Sequence, residues 1–324
     1  MPSDTKLLVT GVTGSVAFPI AAALAADNEV WGLARFSDPE SRERVEAAGI
    51  RPVAADIAAP GALDGLPGDF DFVLHLAYFR GGIDDFDEAM RVNAEGTAAV
   101  LTRCHGARAA LVMSSNVIYP PHPDPWHAHR EDEPIGGMIP FWSPTSPTAK
   151  VAEEAVARAY ARTLGLPVTI ARLNTVYGPQ PDFLPVMHMD AVVAGRPVNA
   201  RWDPHPHAPI HVDDLLAQLD AMLDAASVPA TTVNWAGDEQ VTIQRWAALA
   251  GELAGVTPDI VVTPAPGTTR NNLADTAKRM TITGPCRTRF DDAYREIFTE
   301  RYNAGLATKG GTGAASLGTS PSGD

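Results

Sequence analysis

Residues 6–17, KLLVTGVTGSVA, constrain this chain more than any other stretch. A short apolar run ends in Gly11, a second glycine follows at position 14, and a third small residue, Ala17, comes three positions later. Gly11 permits a tight turn, Gly14 a close approach of ligand to backbone, and Ala17 the packing of a helix against the strand. A strand, a glycine turn and a helix in that order make an anion-binding corner at a helix N-terminus.

The remainder of the N-terminal half repeats the strand–helix unit. Apolar runs at 6–10, 29–34, 51–55, 71–77, 109–115 and 167–173 read as strands. Helical periodicity falls between them, at 15–26, 38–48, 86–104 and 147–164. Parallel strands joined by helical crossovers predict an α/β fold, a Rossmann-type doubly wound sheet covered on both faces. After about residue 178 the pattern loosens into helices at 212–226 and 242–255 and a strand at 231–237. The expected organisation is therefore a Rossmann domain over 1–177, to which 205–235 returns. A smaller C-terminal substrate-binding lobe takes 178–204 and 236–305, and 306–324, rich in Gly, Ser, Ala and Thr, is expected to be a disordered tail.

Composition removes several function classes. A formal charge of −14 argues against nucleic acid or an anionic membrane as partner. The two cysteines, Cys104 and Cys286, stand in no metal-ligand spacing, so neither a disulfide framework nor a metal site is expected. No apolar run reaches the roughly 18 residues of a membrane helix, and the N-terminus has no signal-peptide pattern. A cytoplasmic protein is the expectation.

The glycine turn, with Thr13, Ser15 and Val16 beside Gly11 and Gly14, predicts a dinucleotide site. Strand two ends without the acid that usually binds the ribose hydroxyls of NAD; Arg35 follows it instead. A guanidinium clamps a 2′-phosphate well, so the expected cofactor is NADP(H). Arg42 and Arg44 on the next helix read as a solvated face. Lysine is scarce, occurring at positions 6, 150, 278 and 309 alone, which draws notice to Lys150.

Further segments extend the pattern: ADI (55–57), LHLA (74–77), VNAEGTAAVL (92–101), MSSNVIY (113–119), RLNTVYGP (172–179) and IHVDDLLAQL (210–219). In order and spacing the chain resembles the extended short-chain dehydrogenase/reductases, the family of nucleotide-sugar epimerases and dehydratases, over about residues 6 to 300. The resemblance implies Asp56 and Ile57 near the adenine, Ala77 in the wall along the cofactor, and Asn174 and Val176 beside the carboxamide. It implies Ser115 as the substrate-orienting serine and Lys150 beneath the nicotinamide ribose. Tyr119 and Tyr177 match structural tyrosines of the pattern.

Two positions depart from it. The family's proton donor is a tyrosine four residues before the lysine, and here that place is Ser146. No tyrosine occurs between Tyr119 and Tyr160, and Tyr160 lies about 15 Å further along the same helix as Lys150, so no shift of register restores the motif. A serine hydroxyl is a poor acid. The proton is therefore expected from the substrate's own phenol, from solvent, or from another side chain such as Tyr78 or a histidine of PPHPDPWHAHR (120–130). The second departure is His207, where nucleotide-sugar members carry an arginine for the diphosphate. With Tyr78, Asn116 and Trp142 as further substrate contacts, the leading expectation is an NADPH-dependent ketoreductase for a hydrophobic or aromatic carbonyl compound, resembling aromatic-polyketide reductases. A nucleotide-sugar epimerase or dehydratase and a non-catalytic NADP(H) sensor stay open, as does a homodimer through helices 86–104 and 147–164.

Overall fold

The computed structural model describes residues 3–303; the expected tail at 306–324 lies outside them. Seven parallel strands form the central sheet: β1 (Lys6–Thr10), β2 (Glu29–Ala34), β3 (Arg51–Ala54), β4 (Phe72–His75), β5 (Ala109–Ser115), β6 (Val168–Leu173) and β7 (Thr231–Trp235). Their spatial order is β7-β6-β5-β4-β1-β2-β3. Leu8 stands opposite Trp31 of β2 on one side and Val73 of β4 on the other. The chain winds outward from β1 to β3, then restarts at β4 and winds the other way. That reversal between β1 and β4 is where open α/β sheets bind ligands, beyond the carboxyl ends of the strands.

Alternation along the strands divides the core between two faces. Leu8, Val73, Ala110, Val112 and Ile170 share one cluster with Val100, Leu101, Ala157 and Ala161. Those partners come from α4 (Gly96–Arg103) and α5 (Ser146–Leu164). Leu7, Val9, Leu74, Leu111 and Ala171 face the opposite cluster, beside α1 (Ala17–Leu24) and α7 (Val212–Asp224). Helix α2 (Pro39–Ala47) starts where the Asp38 carboxylate accepts the Glu40 N–H and Pro39 presets the first turn.

The helix expected at 86–104 is broken in three: α3 (Phe86–Met90), a π-helical turn (Arg91–Glu95) and α4. Asn93 lies in that wide turn, buried, with its amide on the backbone of Phe79. Gly96 opens α4 where a Cβ would come within 2.7 Å of Ile57, so the helix start packs directly on that side chain.

Beyond β6 the chain adds α6 (Leu184–Val193), α8 (Ile243–Ala254), α9 (Ala277–Thr283) and α10 (Phe290–Phe298). Short ladders join 198–200 to 260–262 and 206–207 to 241–242. β7 joins the sheet beside β6, with Trp235 opposite Leu173.

Candidate active site

A cleft of about 710 Å³ opens at the carboxyl ends of β1, β2, β3 and β4. Gly11, Thr13, Gly14, Ser15, Val16, Arg35, Asp56, Ile57, Ala77 and Tyr78 all line it, which brings ten of the residues singled out in the sequence to one place. Gly11 takes φ +70°, and a Cβ there would sit 2.7 Å from Ala77 Cα. The turn after β1 therefore rests on the chain leaving β4, and only glycine fits. Thr10 reinforces this corner: its hydroxyl accepts the N–H groups of Leu76 and Ala77 at 3.1 Å each.

Arg35 is exposed at the cleft edge and has no hydrogen bond or ion pair among the described residues. Asp56 is committed. It accepts the Ala58 N–H at 3.0 Å and the Arg91 guanidinium at 2.8 Å, and that guanidinium bond holds its carboxyl below the usual range. Arg44 contributes more than solvation: it donates to Thr13 O at 2.9 Å and covers Phe18, fastening the turn from outside. Phe79 and Phe183, aromatic residues the sequence suggested for the mouth of the site, also line it, and so do Arg80, Val92 and Asp182, which the sequence did not mark. Asp182 accepts a hydrogen bond from the Ser15 hydroxyl, which places a carboxylate beside the turn.

These residues fit a dinucleotide. The turn and the α1 N-terminus offer a pyrophosphate N–H groups, and Arg35 is a guanidinium with no direct ion pair among the described residues. The Ala77 backbone supplies the wall between them.

A second cluster stands against the first. The Tyr78 hydroxyl donates to Ser146 Oγ, and Ser146 and Ser143 share a hydrogen bond between their hydroxyls. Lys150 Nζ lies 4.5 Å from the Tyr78 ring centroid and donates to Met113 O at 2.7 Å. The same Nζ is 2.6 Å from Glu153 Oε2. Complete burial pushes the Glu153 carboxyl up to about 7, with Lys150 pulling the other way. His75 lies behind it, 3.9 Å from Glu153 and bonded to Thr10 and Thr97. Burial brings its imidazole down to about 3, so it is neutral at pH 7.

The remaining sequence candidates are placed differently. Ser115 Oγ accepts the Val117 N–H at 3.3 Å, capping the end of β5. Asn116 is buried and donates to Asn272 Oδ1; Asn272 donates to the Thr175 hydroxyl, which bonds His207 Nδ1. This wall is neutral, since burial pushes His207 well below its ordinary 6.5. Asn174 accepts the Thr175 N–H, and Val176 is buried in a ladder with Ile210. Trp142 carries Arg201 over its ring at 3.4 Å, with Phe141 edge-on beside it. Arg201 has no carboxylate partner among the described residues. The tyrosine at 119 is fully engaged in the core by Asn234 and Arg172, and burial pushes it up to about 12.

Outside the cleft, His127, His129 and Glu133 bring three potential ligand atoms within 4.8 Å of one another. Each imidazole is 2.9 Å from the same Glu133 oxygen, so the set is paired as it stands. No helix among the described residues is long and apolar enough to cross a membrane.

A doubly wound sheet with a glycine-turn cleft at its switch point defines a dinucleotide-binding α/β protein. Residues 7–234 match the NAD dependent epimerase/dehydratase family, and the chain belongs to that family. It is 29% identical over 218 residues to a dTDP-L-rhamnose 4-epimerase of Burkholderia thailandensis, covering 54% of this chain and 58% of that protein. It is 26% identical over 200 residues to a dTDP-glucose 4,6-dehydratase of Mycobacterium tuberculosis, 59% of each. The chain thus spans just under three fifths of the length of these curated relatives. Among solved structures it resembles a UDP-glucuronic acid 4-epimerase of Bacillus cereus in complex with UDP-glucuronic acid and NAD. There the TM-score is 0.77 at 22% identity, over 92% of this chain and all of that one. A dTDP-glucose 4,6-dehydratase of Streptomyces venezuelae with NAD bound gives 0.75 at 22%, over 93% and 98%. At such identity the structural likeness speaks to the fold.

Proposed function

We propose that the chain is an NADP(H)-preferring oxidoreductase that interconverts a carbonyl and a hydroxyl on a small organic substrate. The observation that carries this reading is the Lys150–Tyr78–Ser146 cluster standing against the dinucleotide-type cleft. The nicotinamide, when bound, supplies or accepts the two electrons of that interconversion as a hydride. Gly11 and Gly14 shape the turn that admits its phosphates, Arg35 offers them a guanidinium, and Lys150 and Ser146 organise the substrate end.

For the substrate, the names borne by the relatives favour a sugar nucleotide, and Arg201 supports it. A half-buried guanidinium without a carboxylate partner suits a diphosphate better than the neutral His207 does. The earlier expectation of a flat hydrophobic ketone keeps one supporting observation. Phe141, 76% exposed, and Met187, 50% exposed, present apolar surface to solvent.

Calorimetric titration of the NADPH-saturated chain separates the two. The sugar-nucleotide reading expects dTDP-glucose to bind, and Arg201→Ala to weaken it by about tenfold or more, the worth of a charge-assisted hydrogen bond. Binding of a polycyclic ketone alone would put the hydrophobic reading first. NADPH binding with no turnover of either class would leave a cofactor-sensing protein.

A further inference from the structure

We propose that Tyr78 is the proton donor of this cleft, delivering its phenolic proton to the substrate oxygen and recovering it across the hydrogen bond to Ser146. The proposal rests on the oxidoreductase reading, because reducing a carbonyl to an alcohol requires one proton at oxygen.

Three observations converge on this side chain. Tyr78 is the one phenol among the residues that line the cleft, and it is 42% exposed. The other candidate groups there are worse donors. Asp56 is ionised against Arg91, and Ser15 is engaged with Asp182. The Lys150 ammonium, 4.5 Å from the ring centroid, stabilises the negative charge that proton donation leaves on the phenol. Finally, the loop bearing Tyr78 is held on both sides. Asn93 bonds both N–H and C=O of Phe79 at 2.9 and 2.8 Å, and Thr145 bonds both N–H and C=O of Gly81 at 3.2 and 3.1 Å. A side chain fixed through its neighbours' backbones loses little freedom when it acts.

The Glu153 carboxyl adds a consistent detail. Burial raises it to about 7, so near neutral pH it only partly offsets the charge of Lys150, 2.6 Å away. In the step itself the Tyr78 O–H bond breaks and an O–H bond forms on the substrate oxygen as the carbonyl carbon is reduced. The electron pair left on Tyr78 takes the Ser146 hydroxyl proton across their hydrogen bond, and solvent, which reaches the 42% exposed Tyr78, returns one proton to the pair. In the oxidative direction the same proton travels back.

The test uses the full chain loaded with NADPH and 9,10-phenanthrenequinone, a flat diketone that carries no hydroxyl of its own. Fluorescence titration of NADPH reports folding and cofactor binding; infrared difference spectroscopy of the bound quinone reports the hydrogen bond to its carbonyl. Tyr78→Phe is expected to leave the NADPH Kd within twofold and lower kcat by about 10²–10⁴. It should also return the bound carbonyl stretch toward its free frequency. Ser146→Ala, which removes the relay but keeps the phenol, should lower kcat by about tenfold or less and leave the carbonyl shift in place. Retention of both turnover and carbonyl shift in Tyr78→Phe overturns the donor assignment while the oxidoreductase reading stands. Failure of the wild-type chain to bind NADPH overturns that reading, and the proposal with it. If the quinone binds without turnover, the carbonyl shift alone decides.

Discussion

On the proposed reading one residue, Arg35, sets cofactor choice. It follows a strand of the sheet at the cleft edge, where it has neither an ion pair nor a hydrogen bond among the described residues. A 2′-phosphate gives it a partner, whereas a bare ribose does not. Arg35→Ala is therefore expected to raise the NADPH Kd by about ten- to a hundredfold, the loss of one charge-assisted contact, and to change the NADH Kd by less than about twofold. Titration of nicotinamide fluorescence checks both numbers, and equal losses for the two cofactors would remove the argument. Arg35 was legible because a residue type was missing: no acid closes strand two. Tyr78 was far less legible. It stood only as one of several candidate donors and substrate contacts, since its partners Ser146 and Lys150 lie about seventy residues on and only the fold brings them to it.

At the scale of elements, the strands and most helices were legible because their apolar periodicity is imposed by the two-faced sheet. The break in the helix at 86–104 was not. An asparagine within a helical pattern signals only weakened propensity, and the π-turn carries Asn93, whose amide bonds both backbone groups of Phe79. Wide turns of this kind recur at functional sites, and here the turn braces the loop that carries Tyr78. Asn93→Ala should cost about 1–3 kcal/mol, the penalty for stranding both backbone groups of Phe79. It should also speed hydrogen exchange at the Phe79 amide while leaving the strand amides protected. Urea unfolding and exchange mass spectrometry measure the two effects separately. Unchanged exchange at Phe79 would show that the loop is held by Thr145 alone.

In the molecule as a whole, the sheet places two buried ionisable groups, Glu153 and His75, behind the site, with opposite consequences for stability. Their burial was invisible in the sequence, where Glu153 reads as one more polar position on a helix. In the native chain Glu153 keeps its proton up to about 7, against an ordinary value of 4.5. Between those values the native state holds more protons than the unfolded state, so stability falls as pH rises through the window. His75 is held at about 3 against an ordinary 6.5. There the unfolded state binds more protons, and stability rises with pH. The wild-type profile mixes both slopes, but Glu153→Gln removes only the first. From pH 8 to pH 5 the wild type is expected to gain stability relative to the variant, by up to about 3 kcal/mol, each tenfold change in proton affinity being worth about 1.4 kcal/mol. Urea unfolding of the two proteins at both pH values measures this. A difference that stays constant, or that grows toward alkaline pH, would mean that Glu153 is ionised throughout and fully paired with Lys150. The ammonium beneath Tyr78 would then already be neutralised, and the phenol would have lost the charge that favours its release of a proton.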